Sequence, residues 1–270
     1  MQRVTDRQLL IAIFVLAVVL RLFSAFYQGN QVTALPGIWD QLSYDGLAQR
    51  VVAGYGFNFG EDHWPATRAN EPTAHWSYLY TLFLAAVYAI FGYQPLVARI
   101  IQAVIAGVLQ TWFTWRIGRR IFGPKVGMLA AALSAVYIYF FYYGGSLLTE
   151  SFYFVGILWT LDTALRIVDN NQGPEEKSKQ SDWWLWLELG LAIGLTVLLR
   201  QVFMLFVPVL FLWIGWNRRR SNSPHAQLRK TPNWPVVRGL ALVTLVVALL
   251  ILPWTIRNYR AFGTIVPLNT

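Results

Sequence analysis

Residues Leu9 to Tyr27 read LLIAIFVLAVVLRLFSAFY, nineteen positions carrying one charge, Arg21. Such a run can cross a bilayer as a helix, which takes about 20 residues. It is longer than the apolar core of a cleavable leader and lacks a small-residue cleavage site. It therefore reads as a retained membrane span, and it sets the class of the chain. Composition agrees: 56% of the 270 residues are hydrophobic and 13% charged, against about a quarter charged in soluble domains. The mean hydropathy is +0.43. Thirteen Trp, 13 Tyr and 17 Phe suit a membrane–water interface, where amphipathic rings settle. The absence of cysteine excludes disulfides, thiol nucleophiles and thiolate metal sites.

Working outward, further apolar runs cover Leu96–Ile117, Val126–Tyr143, Ser151–Val168, Trp183–Leu199, Val202–Trp216 and Gly239–Ile256. Basic segments stay on the cytoplasmic side of a membrane. Placing Arg3 and Arg7, RIGRRIFGPK, the linker Asp169–Asp182 and NRRRSNSPHAQLRK there gives about seven spans with a cytoplasmic N-terminus. With Arg166, at the inner end of its span, and Arg238, just past the last basic loop, this arrangement puts 15 of the 22 Lys and Arg inside, six outside and Arg21 within a span. The net charge of +9 is thus a topology signal, not a nucleic-acid patch. Arg21 lies in the outer half of its span, where a long side chain can snorkel to water.

One apolar run resists the scheme. Leu79–Phe91 has 13 residues, the length of an interfacial or re-entrant segment. Counting it as a crossing would turn Arg116–Lys125 outward. Residues 28–95 therefore read as one long external loop with two interfacial helices, and long loops are usually functional. The first of these helices lies within Gly37–Gly56, GIWDQLSYDGLAQRVVAGYG. Tyr44, Leu47, Ala48, Val51 and Val52 fall on one helical face. Gln41, Ser43, Asp45, Gln49 and Arg50 fall on the other, which is expected to face water. Gly54 and Gly56 end the helix.

In this topology Asp40, Asp45, Glu61, Asp62, His63, Arg68, Glu71, His75, Arg99, Glu150 and Arg200 gather at the external face. Acids and arginines above an apolar bundle suit chemistry on a lipid-anchored phosphate. Arginine would bind the phosphate, and a carboxylate would take a proton from an attacking hydroxyl. Each residue also has a plainer reading. Asp40 could N-cap its helix, Glu150 could favour a helix dipole, and Arg200 could snorkel. Asp45 reads as solvated. Glu61, Asp62, His63, Glu71 and His75 lack diagnostic metal-ligand spacing and read as loop polarity, so no metal is expected. Asp162 and Glu188 lie in the inner halves of adjacent spans, and structural pairing with Arg166 is preferred to a role in transport.

An ordered set of motifs carries a resemblance: Asp40, Tyr44 and Ala48; Glu71-Pro72; Phe91-Gly92; Arg99; Gly118-Arg119-Arg120; Leu147 to Glu150; Arg200; and LPWTIRNY at Leu252–Tyr259. The set resembles the GT-C lipid-linked glycosyltransferases. In pattern it is similar to the bacterial protein mannosyltransferase and lipid A aminoarabinose transferase group. The resemblance implies a single all-α, polytopic transmembrane module over residues 1–270, in a bacterial plasma membrane, with its active site on the periplasmic side. It implies Asp40 as catalytic general base and Glu150 as second catalytic acid. Arg200, Tyr44, Arg68, Glu71, His75 and Arg99 would bind substrate. The donor would be a polyprenyl-phosphate-linked sugar and the acceptor a glycan, lipid or protein, with no cofactor. The sequence departs from the pattern at Gln41, where many relatives carry an acid or another polar residue. Relatives also continue well past Thr270, so the chain is read as lacking their C-terminal part. A transporter or lipid-binding scaffold is the competing class, but the internal repeat expected of a transporter is not evident.

Overall fold

The computed structural model describes residues 5–36, 38–65, 67–170, 182–219 and 234–269. Arg3, the linker 171–181 and the basic segment 220–233 lie outside the described residues. Helix α1 covers Asp6–Gln28, α2 Asp40–Val52, α3 Tyr78–Phe91, α4 Pro95–Phe122, α5 Pro124–Val136 and α6 Ile138–Gly145. Helix α7 covers Glu150–Asn170, α8 Asp182–Leu199, α9 Val207–Arg219 and α10 Trp234–Phe262, with a 3-10 turn at Gln201–Leu205. Among the described residues, extended structure is limited to isolated bridges such as Leu35–Ile38 and His63–Thr67. The protein is an all-α, polytopic membrane bundle.

Local chemistry sets the helix ends. At the start of α1, Thr5 Oγ1 accepts the Gln8 amide at 3.3 Å and the Gln8 side chain accepts the Thr5 amide at 2.9 Å, a reciprocal capping box. Pro95 opens α4, where its missing N–H costs nothing. Gly123, at φ +94°, closes α4 and precedes α5, folding the two into a tight hairpin. A Cβ on Gly127 would lie 2.6 Å from the Arg119 amide nitrogen, so only hydrogen fits at this crossing.

Five segments are long and apolar enough to cross a membrane: Asp6–Gln28, Pro95–Phe122, Glu150–Asn170, Gln201–Arg218 and Trp234–Phe262. The expected span Val126–Tyr143 is instead a broken pair, α5 and α6, bent by 51° at Tyr137. Trp183–Leu199 is a shorter apolar helix, yet it packs between α7 and α10 through Trp186, Leu189, Ile193 and Val197. Helix α3 is also short and lies between the spans α1 and α4, as does α2.

Cross-links gather the expected external elements at one end of the bundle. Ser77 Oγ donates to the Leu198 carbonyl at 3.1 Å. Arg257, near the end of α10, donates to the carbonyls of Thr73 and Phe57 at 2.8 and 3.0 Å. At the other end, Arg120 pairs with Asp169, and Arg166 pairs with Glu188 at 2.7 Å. Asp162 is fully buried and faces Arg116, not Arg166, at 3.1 Å, out of line for a hydrogen bond.

Two expectations need correction. Arg21 does not snorkel: it is buried, donating to the Ala17 carbonyl and to Gln110 Oε1, each at 3.0 Å. Spanning neighbours that already supply acceptors make an excursion to the surface unnecessary. The polar face of α2 meets water only at its C-terminal end, where Gln49 is exposed. Gln41, Ser43 and Asp45 are buried because the loop wraps that face. Gln41 donates to the Thr33 carbonyl, and Ser43 Oγ lies 2.8 Å from His63 Nε2.

Candidate active site

From Gln41 to Ala48, helix α2 buries residues on both faces. On its apolar face Tyr44, Leu47 and Ala48 join Trp76, Tyr80, Leu147 and Leu199 in one cluster. The cluster sets α2 beside the α6–α7 junction and the end of α8, where Glu150 and Arg200 lie. Tyr44 packs edge-on against Trp76 and Tyr80, with centroids 5.5 and 5.0 Å apart.

Asp40 is the first residue of α2 and half-buried. The N-cap is Trp39, without a side-chain cap bond, so the capping reading of Asp40 does not hold. Its carboxylate has no hydrogen-bond or ion-pair partner among the described residues. Tyr44, one turn on, has its phenol raised well above its ordinary value, first by burial and next by the negative charge of Asp40. Arg200 and Glu150 act on the same hydroxyl, so the field of all three charges meets at Tyr44.

Glu150 opens α7 and Arg200 follows α8. Arg200 Nη2 donates to Glu150 Oε1, and Nε donates to Thr149 Oγ1 at 2.8 Å. The guanidinium carbon sits 5.8 Å from the centre of the Tyr153 ring. The pair is partly open, with 38% of the Arg200 side chain and 22% of that of Glu150 exposed. Arg200 is therefore paired rather than snorkelling.

Arg99 departs from the expected substrate-binding role. It is fully buried, and its donors go to the carbonyls of Gly145, Gly29 and Gln31 at 3.0, 2.8 and 3.2 Å. Gln102, one turn along α4, donates to the Ser146 carbonyl at 2.7 Å and accepts from Tyr80 Oη at 2.7 Å. Together they pin the glycine-rich junction that carries Thr149 and Glu150.

Asp45 also departs from its solvated reading. Only 5% exposed, it accepts from Tyr88 Oη, from Tyr93 Oη at 3.0 Å and from Gln49 Nε2 at 2.8 Å. Burial raises its carboxyl above the usual range, although those hydrogen bonds pull the other way. The Tyr93 phenol rises to about 12, through burial and then the Asp45 charge.

Arg68, Glu71 and His75 are exposed on the loop. Among the described residues, no hydrogen bond or ion pair joins their side chains to Asp40, Glu150 or Arg200. His75 packs edge-on against Trp76 at 5.1 Å. His63, stacked on Phe59 at 3.8 Å, has its imidazole lowered by burial, partly opposed by the Glu61 charge. Asp62 accepts the Ala69 amide at 2.9 Å. Sequence reasoning included Thr149 in the Leu147–Glu150 motif without giving it a role, and passed over Tyr153 and Gln102. Gln102 left a signal, a second polar residue three positions after Arg99 in an apolar run. Tyr153 left none.

The profile of the family described as dolichyl-phosphate-mannose-protein mannosyltransferase matches residues 75–256. The match takes in Glu150 and Arg200 and begins after Asp40. No curated protein and no solved structure shows a significant match. With two thirds of its length matched, and with the apolar helical bundle that such chemistry at a membrane requires, the chain belongs to this GT-C-type family of membrane glycosyltransferases.

Proposed function

We propose that this protein transfers a sugar from a polyprenyl-phosphate donor to a hydroxyl of a glycan, lipid or protein acceptor at the external face of the membrane. The observation that carries the reading is the unequal state of two carboxylates near Tyr44. Asp40 is unpartnered and half-exposed, whereas Glu150 is already paired with Arg200. The first is available as a base, and the second helps to hold a cation for an anion. The family's description names a lipid-phosphate sugar and a protein, which supports a donor and acceptor of these kinds.

In this reading the donor phosphate meets Arg200, and Asp40 takes the proton of the acceptor hydroxyl. The acceptor oxygen bonds to the anomeric carbon as the bond from that carbon to the phosphate oxygen breaks. The lipid phosphate leaves with the electron pair, held by Arg200. Direct displacement inverts the anomeric centre through a state resembling an oxocarbenium ion. Base and phosphate clamp supply general-base and electrostatic catalysis, and the chemistry asks for no cofactor. Arg68, Glu71 and His75 are free to meet the acceptor. Arg99 acts through the α6–α7 junction and not on substrate. The external placement rests on the basic bias of the opposite end of the bundle.

The test begins with mass spectrometry of lipid-linked sugars and envelope glycans in cells with and without this protein. A polyprenyl-phosphate sugar that accumulates while one glycan disappears identifies donor and acceptor. In that assay Asp40→Asn should lower turnover about 10²–10⁴-fold while lipid-phosphate binding persists. Near-parent turnover would remove Asp40 from the chemistry.

A further inference from the structure

Thr149 is fully buried, yet its hydroxyl touches both charges of the site. Oγ1 accepts from Arg200 Nε at 2.8 Å and donates to Glu150 Oε2 at 3.4 Å. A hydroxyl offers one proton and two lone pairs, so this polarity is met when a cation lies on one side and a carboxylate on the other. The Nε–Nη2 edge of Arg200 is thereby occupied by Thr149 and Glu150, with the Tyr153 ring nearby. The Nη1 end of the guanidinium is left for an incoming anion. Thr149 is itself fixed, because Leu147 and Leu148 are fully buried and α4 side chains hold the carbonyls of Gly145 and Ser146.

We infer that Thr149 is a positioning residue for the lipid phosphate: its hydroxyl fixes the guanidinium so that the free end of Arg200 faces the donor. The inference rests on the reading of Arg200 as the phosphate-binding cation. A neutral isostere at this position leaves the cation present but loosely aimed.

The full chain in detergent can be titrated with farnesyl phosphate, and with farnesol as the probe lacking the charge. Thr149→Val should weaken farnesyl phosphate binding about tenfold, the scale of a hydrogen bond to a charged group. Farnesol binding should be unchanged, and Thr149→Ser should restore the parent affinity. In an Arg200→Ala background the Val substitution should add no further loss. A parallel fall in farnesol affinity would reduce Thr149 to a folding role and overturn the inference. Unchanged phosphate affinity in Thr149→Val, with a loss in Arg200→Ala, would overturn it while leaving the Arg200 reading intact. Unchanged affinity in Arg200→Ala would overturn both.

Discussion

Asp40 and Asp45 lie five residues apart on one short helix and occupy different media. Asp45 is enclosed by Tyr88, Tyr93 and Gln49, and burial raises its carboxyl. Between the ordinary carboxylate range, about 3.9, and the raised folded value, the folded chain holds a proton that the unfolded chain has released. Stability from this group is therefore full below the ordinary range and declines as pH rises through the folded value. Asp45→Asn abolishes that slope. Unfolding midpoints in detergent from about pH 4 to 7 should fall for the parent relative to the variant as pH rises, and parallel curves would refute the assignment. Helical spacing correctly put Asp45 opposite Tyr44, but not in water. Its cover comes from Tyr88 and Tyr93, more than 40 positions later, and periodicity within one helix carries no such partner. Arg99 was misread for the same reason. Its spacing marks a polar position on an apolar helix, while its backbone acceptors are distant in sequence. Asp40 called for no such foresight: among the described residues its carboxylate meets no hydrogen-bond or ion-pair partner, near or distant in sequence.

At the scale of elements, α3 is the decisive case. Its 14 residues extend about 21 Å at 1.5 Å per residue, short of a hydrocarbon core about 30 Å thick. Both its flanks are tied to the same end of the bundle. Ser77 bonds Leu198, while Gln94 accepts from Asn30 at 3.0 Å, just beyond α1. The chain has no native cysteine, so cysteines at the exposed positions Glu71 and Gln94 can be labelled cleanly. An impermeant thiol reagent should reach both from one side, and labelling of only one would make α3 a crossing. The α4–α5 hairpin offers a second test. Gly127→Leu pushes carbon into the Arg119 backbone and should cost about 1–3 kcal/mol, as overpacking does, seen as a lowered unfolding midpoint. An unchanged midpoint would mean that the helices separate without penalty. Length and apolarity made most helices legible, but the basic stretch read as a loop is helical except at Gly123. The break at Tyr137 was not legible, because neither proline nor glycine stands there to signal it.

Across the whole molecule, the candidate site draws on residues 40, 149–153 and 200, and alternation of the spans brings them to one end. Which end faces which side is an expectation from the basic segments, because the membrane sorts Lys and Arg between its faces. It predicts that a cysteine at exposed Lys125 is protected from the reagent that labels Glu71 and Gln94 positions. Labelling of all three from outside would place the basic end and the candidate site on the same face.

Arg21 carries this architecture into the time course of synthesis. Its acceptor Gln110 lies 89 positions later, a delay of about 4–18 s at a ribosome's pace of roughly 5–20 residues per second. A lone arginine at the centre of a membrane helix costs about 2.5–3.5 kcal/mol on insertion scales, an upper bound for Arg21 in the outer half of its span. During that interval the acceptor that Arg21 keeps is the Ala17 carbonyl of its own helix, while its Gln110 contact is unfilled. The first segment made is thus one whose polar contact is completed only by a helix made later.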